Sequence, residues 1–170
     1  MKLLVFITFV TLLASCTIDD ELSLNRSSYN GEQLRTDGYF FQRDSNYIFT
    51  IYIFYTNGTL FYSVGGGKLE NTDQLEQRLK DHNFIERLRN EKTSWGLFKI
   101  DNNKIQFERW YPYFENGKPA YIRSGTILND TTFHITKATR SDGSEEHVEN
   151  EVYYFKQFSP KPDSSNTFVD

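Results

Sequence analysis

The chain holds one thiol, Cys16, at the end of an apolar run. A thiolate is the natural side-chain nucleophile for forming a thioether. A single cysteine cannot close a disulfide within its own chain. The other reactive groups are scattered. His82, His134 and His147 fall in three different expected elements. No His-Glu-x-x-His, Cys-x-x-Cys or Gly-x-Ser-x-Gly spacing occurs. Gly65-Gly66-Gly67 runs into Lys68-Leu69 without the Gly-Lys-Ser/Thr ending of a phosphate loop, and reads as a turn or hinge. Asp19-Asp20 and Glu145-Glu146 are neighbouring carboxylates on expected loops. Glu108 would need a partner carboxylate from another strand to attempt glycoside hydrolysis, and the sequence singles out none. No catalytic residue, metal-ligand set or cofactor site is expected from these patterns, so the chain is not read as an enzyme.

The stretch with most recognition chemistry is Phe107-Glu108-Arg109-Trp110-Tyr111-Pro112-Tyr113. In a strand, alternation sends Phe107, Arg109 and Tyr111 to one face and Glu108 and Trp110 to the other. An inward Arg109 could meet a carboxylate or another anionic head group; an outward one is a surface charge, with Trp110 in the core. Tyr39, Phe41, Tyr52 and Phe54 could line a pocket or simply fill it. Aromatic rings bury large areas, and tyrosine adds a polar handle.

The elements that must position these residues begin with a leader. Met1-Lys2 is followed by Leu3 to Leu13, an apolar stretch closed by small residues. It is too short to cross a bilayer, which takes about 20 apolar residues. A charged start, an apolar middle and a small-residue close describe a secretory signal, here residues 1–15. Leu13-Ala14-Ser15-Cys16 resembles the lipobox of bacterial lipoproteins. The resemblance implies diacylglycerol on the Cys16 sulfur, cleavage before Cys16, and acylation of the new N-terminus by a palmitate-type chain. Several acyl chains anchor stably, because each buried CH2 contributes about 0.8 kcal/mol. Thr17-Ile18-Asp19-Asp20-Glu21 loosely resembles the acidic surface-export signal of Bacteroidetes lipoproteins, and is otherwise a solvated start to a linker. Thr17 is not the aspartate of the enterobacterial inner-membrane retention signal. The outer membrane is therefore the expected address, on its periplasmic or its cell-surface face.

The 170 residues suit one domain. The formal net charge of −4, more negative once Lys2 is removed, gives no basic footprint for nucleic acid. Residues 16–33 read as the lipidated cysteine and a flexible tether. Strands are expected over Leu34–Gln42, Tyr47–Tyr55, Leu60–Val64, Ser94–Ile100, Lys104–Trp110, Ala120–Leu128, Thr132–Thr136 and Glu151–Phe158. Asn57-Gly58 is the strongest hairpin signal. Asp101-Asn102-Asn103 and Asn129-Asp130 are further short turns. Residues 72–90 read as a helical insertion, with Asn71 as N-cap, Gln74 near a capping box, and Asn83 as a break into two short helices. Its apolar stripe is expected to pack on the barrel wall or to close one end. Arg140–Glu146 reads as a polar loop and 159–170 as an extended tail. About eight strands joined by sequential hairpins favour a mainly β, antiparallel up-and-down barrel.

Gly38-Tyr39-Phe40, Trp95-Gly96-Leu97-Phe98-Lys99-Ile100 before Asp101-Asn102-Asn103, and Gly125-Thr126-Ile127-Leu128 before Asn129-Asp130 carry a resemblance over residues 34–158. The chain is similar to the small lipocalin-like, or calycin-like, lipoproteins of the Bacteroidetes. The Gly-x-Trp signature of the lipocalin first strand is Gly38-Tyr39-Phe40 here, and the usual helix near the C-terminus is missing. The resemblance implies a barrel that binds a small apolar or amphipathic molecule. The alternative is a non-enzymatic surface module that docks a protein or glycan on its outer face. Asp130-Thr131-Thr132 also resembles the short O-glycosylation pattern of Bacteroidetes proteins, which would place a glycan on Thr131.

Overall fold

The computed structural model describes residues 19–112 and 117–169. The signal sequence, Cys16 and Tyr113 lie outside them. Eight strands form one closed antiparallel barrel in sequence order: β1 (Gly38–Arg43), β2 (Phe49–Phe54), β3 (Thr59–Val64), β4 (Trp95–Asp101), β5 (Lys104–Trp110), β6 (Ala120–Asn129), β7 (Thr132–Arg140) and β8 (Glu146–Gln157). Closure comes from β1 pairing with β8, with Phe40 opposite Phe155. The expected up-and-down barrel is present.

Turn chemistry sets the hairpins. Gly58 has φ +87°, and the Asn57 side chain accepts from the Thr59 N–H at 3.1 Å. Asn102 takes the left-handed conformation at φ +53° between β4 and β5, which asparagine tolerates better than most residues. β7 and β8 run further than expected, to Arg140 and from Glu146, which shortens the polar loop between them.

Alternation divides the apolar residues into two cores. Inside, every strand contributes: Phe40, Tyr52, Phe54, Leu60, Phe98, Ile105, Phe107, Ile127, Phe133, Ile135 and Tyr153 form one buried cluster. Most rings meet tilted or edge to face, with centroids 4.6 Å apart for Tyr52–Phe107 and 4.9 Å for Phe54–Phe98, while Phe133 and Tyr153 stack. The middle of the barrel is therefore filled, not hollow. Leu34 and Tyr29 pack against the end formed by the β2–β3, β4–β5 and β6–β7 turns and close it.

The second core lies on the outer wall of β1 to β4. The expected helical insertion forms α1 (Thr72–Lys80) and α2 (His82–Arg89), which cover Phe49, Ile51, Ile53, Phe61 and Trp95 with Leu75, Leu79, Phe84 and Ile85. The helices pack on the wall; they are neither lid nor plug. Asn71 caps α1 by accepting from the Gln74 N–H at 3.0 Å, and Gln74 reaches back to the Glu70 N–H at 2.9 Å. The break falls at Asp81, not Asn83. Asp81 is extended and serves both as C-cap of α1 and as N-cap of α2, accepting from the Phe84 N–H.

The terminal segments depart most from expectation. Residues 19–33, read as a flexible tether, form a strap along the outside of the barrel. Asp20 pairs with Arg140 at 2.9 Å and accepts from the Ala120 N–H, while its carbonyl accepts from the Trp110 indole at 2.6 Å. Asp19 pairs with Lys92 at 2.8 Å. Glu108 points outward and is fully buried beneath the strap. Its carboxylate accepts from the Ser23 N–H at 2.9 Å, the Leu24 N–H at 2.7 Å, and the Ser23 and Ser141 hydroxyls. The strap then crosses the β2–β3 turn, where a β-carbon on Gly58 would collide with the Ser27 carbonyl. The 159–169 segment has no helix or strand, as expected, but it is docked: Val169 is buried in the outer core and Phe168 packs on it.

Candidate functional site

The end of the barrel opposite Leu34 is the rim where β1, β3, β5 and β7 close and β2, β4, β6 and β8 start. Here the inward face turns from apolar to charged. Arg109 projects inward from β5 and Arg123 from β6, 3% and 8% exposed. Gly96 on β4 lies opposite Arg109, where the strands approach closely: a β-carbon there would collide with the Glu108 carbonyl oxygen and meet the Arg109 β-carbon at 2.9 Å.

The Arg109 guanidinium is sandwiched between two rings, 3.4 Å from the Tyr62 centroid and 3.7 Å from that of Tyr111. A desolvated cation over an aromatic face gains about 2 kcal/mol. Its Nη1 donates to the Trp110 carbonyl at 3.0 Å and the Thr93 carbonyl at 3.4 Å. Among the described residues no carboxylate reaches it within ion-pair distance. Arg123 does have acids: Nη2 pairs with Glu151 and lies 3.7 Å from Glu149. Glu151 also accepts from the Tyr153 hydroxyl at 2.7 Å. Nη1 of Arg123 donates to the Tyr111 hydroxyl at 3.5 Å, which places Tyr111 between the two guanidiniums.

Three buried donors in this cluster have no partner among the described residues: the Tyr52 hydroxyl, Arg109 Nε and Arg123 Nε. Buried polar groups in native proteins are nearly always satisfied, so such a concentration calls for an explanation. Burial pushes the Tyr52 and Tyr153 phenols up, so both stay protonated donors. Burial works against the charge on both arginines, but the net shift on each is upward, and a guanidinium keeps its proton in proteins, so both are charged. The mouth thus carries fixed positive charge and unspent hydrogen-bond donors over an aromatic floor.

A pocket of about 260 Å3 opens beside this cluster, lined by Tyr111, Pro119, Tyr121, Arg123, His147 and Glu149. That is at or below the small end of ligand pockets, which run from about 300 Å3. Tyr121 donates to Glu145 at 2.6 Å, and that bond pushes its phenol up to about 12.

The sequence candidates separate cleanly by location. Arg109 and Tyr111 share the inward face with Phe107, as alternation requires, and Tyr52 forms the floor. Phe54 lies deeper, toward the closed end, in contact with Phe98 and Phe40. Tyr39, Phe41 and Trp110 face outward and do not line the mouth. Tyr39 packs on Phe158 and Phe41 on Phe49; Trp110 lies under the strap. Thr131 sits in the β6–β7 turn at the closed end, its N–H and hydroxyl both bound to Asn129 Oδ1. The histidines stay apart, with His147 at the mouth, His134 bonded to Asn150 on the outer face and His82 at the start of α2. Among the described residues no group of three or more His, Cys, Asp or Glu side chains is gathered as for a metal.

Sequence reasoning passed over Tyr62, Arg123, Glu149, Glu151 and Tyr153. The available signal was charge at an inward position. Arg123 precedes Gly125 and Ile127 on one face of β6, and Glu149 and Glu151 precede Tyr153 on one face of β8.

No protein-family model, curated protein or solved structure matches the chain. Among the described residues no helix is long and apolar enough to cross a membrane.

Proposed function

We propose that this protein is a lipid-anchored binding protein that holds a small amphipathic molecule at the mouth of its barrel. The anchor is diacylglycerol on Cys16, and the expected address is the outer membrane of a bacterium of the Bacteroidetes type. The observation that carries the binding reading is the set of unpartnered buried donors, Tyr52 Oη, Arg109 Nε and Arg123 Nε, gathered at one end of a lipocalin-like barrel. An oxyanion placed there would take up these donors and neutralise Arg109, which no carboxylate among the described residues pairs. The apolar part of the ligand would lie against Tyr121, Pro119 and Ala138 in the pocket. Because the barrel centre is packed with rings, the ligand is held at the rim and does not thread a deep calyx. The reading involves no catalytic step.

The filled interior gives some support to the second reading, a module that docks a protein or glycan through its outer surface. The two separate in one experiment. The protein is purified gently from its membrane and its intact mass measured under native and denaturing conditions. A small mass lost on denaturation, and absent from Arg109→Met, supports the mouth site. A bare native mass, with no binding of carboxylate- or phosphate-headed amphiphiles by calorimetry, moves the assignment to the docking module. Arg109→Lys is the sharper variant. It keeps the charge but loses the planar stacking and the fork of donors, so binding should fall more than tenfold, about 1.4 kcal/mol.

A further inference from the structure

We infer that the barrel stands mouth-down, its open rim against the bilayer that holds the anchor, so that a ligand passes between membrane and mouth without crossing bulk water. The inference rests on lipidation of Cys16 as proposed above, and adds an orientation that the motif itself does not contain.

The first observation is where the anchored chain meets the barrel. Asp19 and Asp20 are tied to Lys92, Lys118, Ala120 and Arg140. Ala120 opens β6, next to Pro119 of the pocket, and Arg140 closes β7 opposite Tyr121, so both lie on the mouth rim. Cys16 is three residues before Asp19. Three residues span at most about 10 Å when fully extended. The seven residues of β5 run about 20 Å at about 3.3 Å per residue, which at a tilt of about 40° leaves a barrel about 15 Å tall. The tether therefore reaches from the rim to a membrane but is shorter than the barrel is tall. Without the strap, the leash from Cys16 to β1 would be long enough to allow any orientation.

The second observation is on the opposite wall. Tyr47 in the β1–β2 turn and Val64 at the end of β3 are 53% and 45% exposed, and both lie on the same rim, four strands around the barrel from the anchor point; Leu128 at the closed end is as exposed, so the short tether is what selects the rim. An exposed tyrosine such as Tyr47 suits the headgroup layer, where its amphipathic ring meets both apolar and polar groups. An anchor on the β6–β7 side and apolar contacts on the β2–β3 side hold one rim at two opposed points, which sets the barrel upright.

The test uses the full lipidated chain in vesicles of phosphatidylethanolamine and phosphatidylglycerol that carry a headgroup-labelled quencher. With Cys16 in a thioether, a cysteine introduced at Tyr47, Val64 or Asn102 is the free thiol for a fluorophore. Tyr47→Cys and Val64→Cys report the rim, and Asn102→Cys the closed end. Severalfold stronger quenching at both rim sites than at residue 102 is expected. A glycine-serine insertion between residues 16 and 19 should remove the difference. Equal quenching, or more at 102, in protein that carries lipid by mass and floats with the vesicles overturns the orientation and leaves the lipoprotein reading standing. Protein that carries no lipid on Cys16 overturns both.

Discussion

Replacing Glu108 by glutamine should release the strap. The carboxylate is fully buried, has no cationic partner among the described residues, and takes hydrogen bonds from four donors: the Ser23 and Leu24 amides and the Ser23 and Ser141 hydroxyls. Glutamine keeps one acceptor oxygen and turns an NH2 toward donors that need an acceptor. Hydrogen bonds to a charged group contribute about 1.5–3 kcal/mol each, and an orphaned buried donor costs a further 1–3 kcal/mol or so. Loss of one charged bond with partial relaxation comes to about 3 kcal/mol. In a domain of this size that lowers Tm by about 6–12 °C. Thermal unfolding reads the total, and amide exchange at Ser23 and Leu24 reads the site: both amides should lose protection in Glu108→Gln while those of β2 and β5 keep theirs. A neutral or stabilised variant would refute the reasoning, because it would mean that burying the charge costs as much as its bonds contribute.

Three more expectations follow from the same contacts. Asp19 and Asp20 have lowered pKa values, caused first by hydrogen bonds from Lys92 and Arg140 respectively. Their contribution is present above the unfolded value of about 3.9 and is lost as pH falls through the lowered folded values; Trp110 fluorescence, sensitive to the Asp20 carbonyl, should report the strap lifting in that acid range. Gly58→Ala should destabilise by about 1–3 kcal/mol, since Gly58 has φ +87° and lies against the Ser27 carbonyl; a denaturant midpoint unchanged from wild type would contradict the close strap crossing. Leu75→Ala, at a fully buried position on the outer core, should cost about 2–5 kcal/mol and yet leave the proposed binding of carboxylate- or phosphate-headed amphiphiles intact in the fraction that folds, as measured by calorimetry.

How much of this was legible depends on whether a feature is local. Hairpins were, because Asn57-Gly58 and Asn102 carry their own backbone preference. The facing of Arg109 relative to Trp110 was legible through alternation alone, although which face was inside was not. The ends of β7 and β8 were missed because Lys137, Thr139, His147 and Glu149 near a wet rim show no apolar alternation. The mouth cluster was illegible as a cluster: Tyr62, Arg109, Arg123 and Glu151 come from β3, β5, β6 and β8, and only the barrel register brings them together. The strap misled most. Residues 19–33 have the polar composition of a linker, and what holds them is a set of partners about 70 to 120 positions away in sequence, such as Lys92 and Arg140.

The pairing of β1 with β8 has a consequence for molecules crowded on a surface. A sheet with free margins offers unpaired N–H and C=O groups to any neighbour, and confinement in two dimensions raises the rate at which copies meet. Here each strand has a partner on both sides, so no bare ladder is presented to another copy. Self-association by strand addition would first require Phe40 and Phe155 to part, which exposes the aromatic interior and is correspondingly costly. Ring closure, set by the same residues that fill the core, therefore shuts off association by strand addition.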